Sequence, residues 1–273
     1  MEKLMKKAFY VVFALGLSLT ACKKDSLSDL FDSEASEDDN NVSMIEEDNT
    51  MANDFVMSEN VGGRAEESGR TEGGRFLGSA TTTFDPATQT ITIDFGTTNV
   101  RCADGRMRRG KILIKINEGR PNVLPFSTTT THENYFVNDN KVEGTRNQRT
   151  VGTLTNRTTT ITANRTVTFT DGRTATRNVN HVRTAVREGL TDWTYSTTGT
   201  ANGTTRRGRT YNNTITSPLI SKTTCQNQLF PVAGIISMAV NGFDTPFILD
   251  FGSGTCDKTF TITYNGRTKT ITR

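Results

Sequence analysis

Short stretches of alternating apolar and polar residues dominate the chain after about residue 76. Thr90-Ile91-Thr92-Ile93-Asp94-Phe95 alternates with a period of two, as a half-buried strand does. Lys111–Ile116, Thr166–Thr170 and Thr259–Tyr264 repeat the pattern. The many threonines are β-branched and favour pleated backbone over helix. No long apolar pattern with helical spacing appears. Asp104-Gly105, Asp171-Gly172 and Asn265-Gly266 suit two-residue turns with positive φ at both positions. Asn138-Asp139-Asn140 and Asn202-Gly203 are further turn candidates. Hairpins in series predict an antiparallel meander.

Between Thr145 and Arg187 the apolar residues are too few to fill a sandwich from two sides. One face there carries Ile161, Ala163, Val167 and Phe169, with Arg165 among them. The expected fold is therefore all-β: one domain forming a long, curved, partly rolled sheet with a largely wet face. A closed barrel or β-sandwich is the alternative. Trp193, Tyr195, Phe230, Ile235, Ile236, Phe243 and Phe247 place the better core in the C-terminal half. Ile93-Asp94-Phe95-Gly96 and Leu249-Asp250-Phe251-Gly252 echo each other, each followed by a cysteine and an aspartate, as a duplicated hairpin unit would be.

The first residues obey another rule. Lys3, Lys6 and Lys7 precede an apolar run from Ala8 to Leu19, which is too short to span a bilayer. This is the plan of a secretory signal. Leu19-Thr20-Ala21-Cys22 resembles the bacterial lipobox position by position. That resemblance implies cleavage after residue 21 and diacylglycerol on the Cys22 sulfur, with acylation of the new amine. Lys23-Lys24-Asp25 is similar to the export signal of surface lipoproteins in Bacteroidota, and Asp25-Ser26-Leu27 to their O-glycosylation acceptor, at Ser26.

Composition divides the chain beyond Cys22 in two. Apolar residues are 33% of the whole chain, and its mean hydropathy is −0.49. The formal net charge of +3 conceals an acidic segment, with 15 acids against 4 bases in residues 23–72. A basic one comes after it, with 13 acids against 25 bases in residues 73–273. Residues 22–75, poor in apolar residues and strongly charged, predict a disordered tether. That tether could also fold back on the basic module. Residues 76–273 form the β domain.

Three cysteines remain, so at most one internal disulfide forms. Cys225–Cys256, the nearer pair, is expected, with Cys102–Cys256 as the rival if the two ends are duplicates. Chemistry is sparse. His132 and His181 lie in no nucleophile setting, and Gly252-Ser253-Gly254 lacks the spacing of a nucleophile elbow. Asp94 with Asp104, and Asp250 with Asp257, could clamp calcium but read better as turn caps. Neither cofactor nor metal is expected, and no catalytic residue is assigned; the chain is not expected to be an enzyme. The one hint of binding is arginine, whose fork holds phosphate, sulfate and carboxylate. Arg106, Arg108 and Arg109 cluster at one turn, Arg206, Arg207 and Arg209 at another, with Arg173, Arg177, Arg183 and Arg187 between. An anionic glycan or lipopolysaccharide would suit them. The clusters lack the interleaved aromatics of a nucleic-acid site.

Lipobox, acidic tether and Thr/Arg-rich domain together resemble the uncharacterised outer-membrane lipoproteins of Bacteroidota. The residues that carry this are Thr20–Asp25, Cys102-Ala103-Asp104-Gly105-Arg106, Val142-Glu143-Gly144-Thr145-Arg146 and Asp250–Asp257. The resemblance implies a lipid-anchored protein of the outer membrane, facing the surface, held to the membrane by its acyl chains. The resemblance brings no established activity with it; the expected role is structural or at the surface, with an envelope protein or an anionic glycan as partner.

Overall fold

The computed structural model describes residues 79–272, except 103, 121–122, 190–191 and 226–229, and also Ala52. The predicted signal segment, Cys22 and Ser26 lie outside the described residues. So does the tether, save at Ala52.

Among the described residues, fourteen strands form one antiparallel sheet, laid down almost strictly in chain order. They are β1 (Thr81–Asp85), β2 (Thr90–Asp94), β3 (Val100–Arg101), β4 (Met107–Arg120), β5 (Val123–Val137), β6 (Asn140–Gly152) and β7 (Asn156–Thr168). Then come β8 (Thr174–Glu188), β9 (Asp192–Thr204), β10 (Thr210–Lys222), β11 (Ala233–Val240), β12 (Phe247–Ser253), β13 (Thr259–Tyr264) and β14 (Arg267–Thr272). β3 is a short spur on β4. The sheet does not close, since β1 and β14 are its two edges. The open, curved reading of the sequence is therefore the observed one, not a closed barrel.

One face is buried or half-buried across the sheet between its edge strands. In β8 the odd-numbered residues from Ala175 to Arg187 are buried or half-buried, and almost all the even-numbered ones are exposed. Period-2 alternation fixes this parity, because a slip of one residue would turn every side chain over. Two apolar patches occupy this inner face. The first runs from β2 to β8 and includes Ile91, Ile93, Ile112, Ile114, Tyr135 and Val167. The second, in β10–β14, is built on Phe247, Leu249, Phe251, Phe260 and Ile262. The first patch is the more completely buried, which corrects the expectation of a better C-terminal core. Alternating isoleucines on adjacent strands interlock there, whereas Trp193 and Tyr195 are only half-buried. Ala52 is helical and fully buried, and belongs to the first patch.

The turns divide into two kinds. Asn265-Gly266 has both residues at positive φ, 47° and 72°, as its type I′ reading requires. Asn138-Asp139 does the same. In the two Asp-Gly turns only Gly105 and Gly172 are at positive φ. Their aspartates do other work: Asp104 and Asp171 accept the backbone N–H of Arg106 (3.1 Å) and Arg173 (2.9 Å). That bond holds a longer loop with glycine alone in the left-handed region. Asn202-Gly203 is no turn but lies within β9, where a side chain on Gly203 would meet the Thr176 carbonyl at 1.9 Å. Glycine there permits close backbone approach.

The echoed segments share local geometry. Gly96 and Gly252 donate to the side chains of Asp94 (2.7 Å) and Asp250 (2.8 Å), with φ of 80° and 82°. The phenylalanine between them is buried in both copies. Cys225 and Cys256 are disulfide-bonded, with Cα atoms 5.4 Å apart. Cys102 is a buried thiol outside this disulfide, so the rival pairing is not formed.

Candidate functional site

The meander brings both predicted arginine clusters to the same end of the sheet. The turn before β4, the β5–β6 and β7–β8 turns and the β9–β10 turn all lie along one rim. From β4 to β9 the two clusters stand five strand spacings apart along the sheet, about 24 Å.

The first cluster is bound up in its own turn. Arg108 has no exposure and donates from Nη1 and Nη2 to the Asp104 carboxylate, at 2.8 and 2.6 Å. Arg106 Nε stands 3.7 Å from the same group. Burial raises the Asp104 pKa, but the Arg108 bonds and charge outweigh it, so the carboxyl ionises below its ordinary value. Arg109 pairs with Asp139, donates to Asn99 Oδ1 at 2.8 Å and stacks on Phe136 at 3.8 Å. In the second cluster Arg206 lies over Phe169 (4.1 Å) and Arg209 over Phe243 (5.0 Å), while Arg207 is exposed. Arg173 is held by Asp171 at 2.6 Å.

Strand register reveals a second arginine array. On the inner face lie Arg146 of β6, Arg157 and Arg165 of β7, and Arg177, Arg183 and Arg187 of β8. Arg165 and Arg177 are direct partners across the β7–β8 ladder. Like charges so placed repel. Arg146, Arg165 and Arg177 are all more than nine-tenths buried. Along β6–β9 the inner positions hold no aspartate or glutamate. Arg157 stacks on Trp193 and Arg183 on Tyr195, at 4.6 and 3.8 Å. Alternation in the sequence already puts Arg165 on the apolar face of its strand, and Arg177, Arg183 and Arg187 were named between the clusters; only strand register joins them with Arg146 and Arg157.

His132 of β5 lies on the same face and stacks on Tyr135 at 5.3 Å. Burial, then the charge of Arg165, depress its pKa from 6.5 to about 3. It is therefore neutral at physiological pH. His181 is half-buried on β8 opposite Gly199. A group that binds protons less readily when folded withdraws stability as pH falls from its unfolded pKa toward its folded one. Between about pH 6.5 and pH 3, His132 should thus destabilise the fold progressively. Replacing His132 by Phe should make the loss of unfolding free energy between pH 7 and pH 4.5 smaller by about 2 kcal/mol. Urea titrations of both proteins at the two pH values read this; equal losses would refute it.

The aspartates weighed as calcium ligands act as turn caps. Asp94, Asp104 and Asp250 accept backbone N–H groups within their own turns, and Asp257 accepts the Thr259 N–H at 3.0 Å. Among the described residues no group of three or more His, Cys, Asp or Glu is placed to hold a metal. Comparison of the chain with family models, curated proteins and solved structures finds no match.

Proposed function

We propose that this is a lipid-anchored protein of a bacterial outer membrane, held through acylated Cys22, whose open sheet has a non-catalytic structural or surface role. The lipobox pattern supports the anchor. The observation that favours a structural role is the Arg108–Asp104 pair: the arginine cluster singled out for binding is spent on bracing a turn. Metabolic labelling with a clickable fatty acid tests the anchor. The full chain should take up label and sediment with membranes, and C22A should do neither. An unlabelled, freely released wild-type chain would overturn it.

A second reading, binding of an anionic glycan, is favoured by the exposure of Arg207 beside Arg206 and Arg209 on the rim. The triple variant R206S/R207S/R209S should elute from immobilised heparin at clearly lower salt than the wild type. Unchanged elution would remove this reading.

A further inference from the structure

The outer face of the sheet changes character at β7. On β7, β8, β9 and the first half of β10 the even-numbered residues share that face, since Thr162 pairs with Asn180, Asn180 with Thr200 and Thr200 with Thr214. From Asn156 to Thr168, from Thr174 to Val186 and from Thr194 to Thr204, every even-numbered residue is Thr, Asn, Ser or Val. None is charged. On β2–β6 the same side of the sheet carries ion pairs: Lys111 with Asp94, Lys141 with Glu143 and Arg149 with Glu118. Contact with water therefore does not account for the uncharged field.

The field is ordered in rows across the strands. Asn164, Asn178, Asn202 and Asn212 stand in register on four successive strands, and all four are exposed. Asn178 donates to Asn202 Oδ1 at 3.2 Å, and the hydroxyls of Thr176 and Thr204 lie 2.8 Å apart. Amides and hydroxyls bonded along a row lose less when water leaves, and such ladders support stacked sheets. Val182 and Val186, 38% and 42% exposed, add apolar side chains to the same face. The β7–β8 and β8–β9 ladders run their full length without a register shift, so no bulge interrupts the surface. The face offers a polyanion no cation and a sugar ring no aromatic to stack on.

Size and charge select the partner. β7, β9 and β10 are each 13 residues long. At ordinary rise and strand spacing the uncharged area is roughly 750 Å². Each partner in a standard interface gives about 800 Å². Residues 73–273 hold 25 bases against 13 acids, so two copies repel where they present arginine to each other. On this face they present none.

We infer that a second copy of this chain stacks on the outer face of β7–β10, through the same patch on both copies. A two-fold contact needs a surface that complements itself, and an uncharged one does. The two sheets lie face to face with their strands within about 30° of each other. The contact does not depend on acylation of Cys22.

Sedimentation velocity on the full chain carrying C22A tests this, in a concentration series reaching about 100 μM, because interfaces of this size have affinities from micromolar to picomolar. A monomer–dimer equilibrium is expected. N180K/V182K puts like charges at two exposed positions of the face. It should weaken the dimer at least about tenfold at about 50 mM salt. N180E/V182E should do the same, and an equimolar mixture of the two variants should associate again. Thr270→Lys, exposed on the outer face of β14, should leave dimerisation unchanged. Circular dichroism spectra that match the parent chain confirm that each variant is folded. A monomer at every concentration would overturn the inference, as would a dimer that N180K/V182K leaves intact or a mixture that stays monomeric. A monomer that a dextran matrix retards, with N180K/V182K not retarded, would overturn it and give the face to an uncharged glycan. None of these readouts involves fatty-acid labelling, so they fail or succeed apart from the anchor.

Discussion

Asp104→Ala is expected to lower the unfolding free energy by about 1–3 kcal/mol, the cost of taking the hydrogen-bonded acceptor from a buried guanidinium. Arg108 has no solvent exposure and its guanidinium spans both oxygens of Asp104. Removing the carboxylate takes two hydrogen bonds from a buried guanidinium in a site that also holds the turn before β4. The Arg106 N–H bond to Asp104 is lost with it. Asn at position 104 keeps an acceptor for that N–H and should lose less. The double variant D104A/R108M, which removes both charges, should recover most of the loss, because a buried pair is often no more stabilising than an apolar replacement. Denaturant titrations of the three proteins measure this, and a D104A loss below about 1 kcal/mol would show the pair to be solvated. The carboxyl ionises below its ordinary 3.8, so its contribution is complete above that pH and is lost as pH falls below it.

Cys225→Ser should lower the unfolding free energy by about 3–4 kcal/mol under oxidising conditions, as expected for releasing a loop of this size from the unfolded chain. The two cysteines are 31 residues apart and enclose β11 and β12. The bond therefore ties the end of β10 to the loop before β13, across the second apolar patch. That patch is smaller than the first, and the staple compensates for it. In reducing buffer, wild type and variant should unfold together. A difference that persists after reduction would show that the serine disturbs packing and that the bond contributes little.

The sequence displayed the fold through local rules. Thr259–Tyr264 with Asn265-Gly266 after it is a strand and turn in which propensity, alternation and backbone conformation agree, and the structure contains that hairpin. Asp104-Gly105 and Asp171-Gly172 read as the same turn type, yet their aspartates accept the backbone N–H two positions on and leave glycine alone at positive φ. Asn202-Gly203 looked like a turn because its reason for glycine, the carbonyl of Thr176, is 27 residues away in sequence. The site obeyed the same logic. Clusters such as Arg106, Arg108 and Arg109 are visible as neighbours in the chain. The inner array of Arg146, Arg165 and Arg177 comes from three strands, and only register assembles it. The burial of Ala52 is likewise invisible in the sequence, because it belongs to a patch that exists only once β2–β8 are paired.

With the β3 spur set aside, each strand is bonded to the strands just before and after it in the chain, and to no other. Among the described strands, none laid down early waits for a distant strand to pair with. A polypeptide threading N-terminus first through a pore can zip up hairpin by hairpin as it emerges, each new strand finding a finished edge. Such a molecule needs no late, whole-chain rearrangement on the far side, and pulling on its C-terminus would peel it in the reverse order.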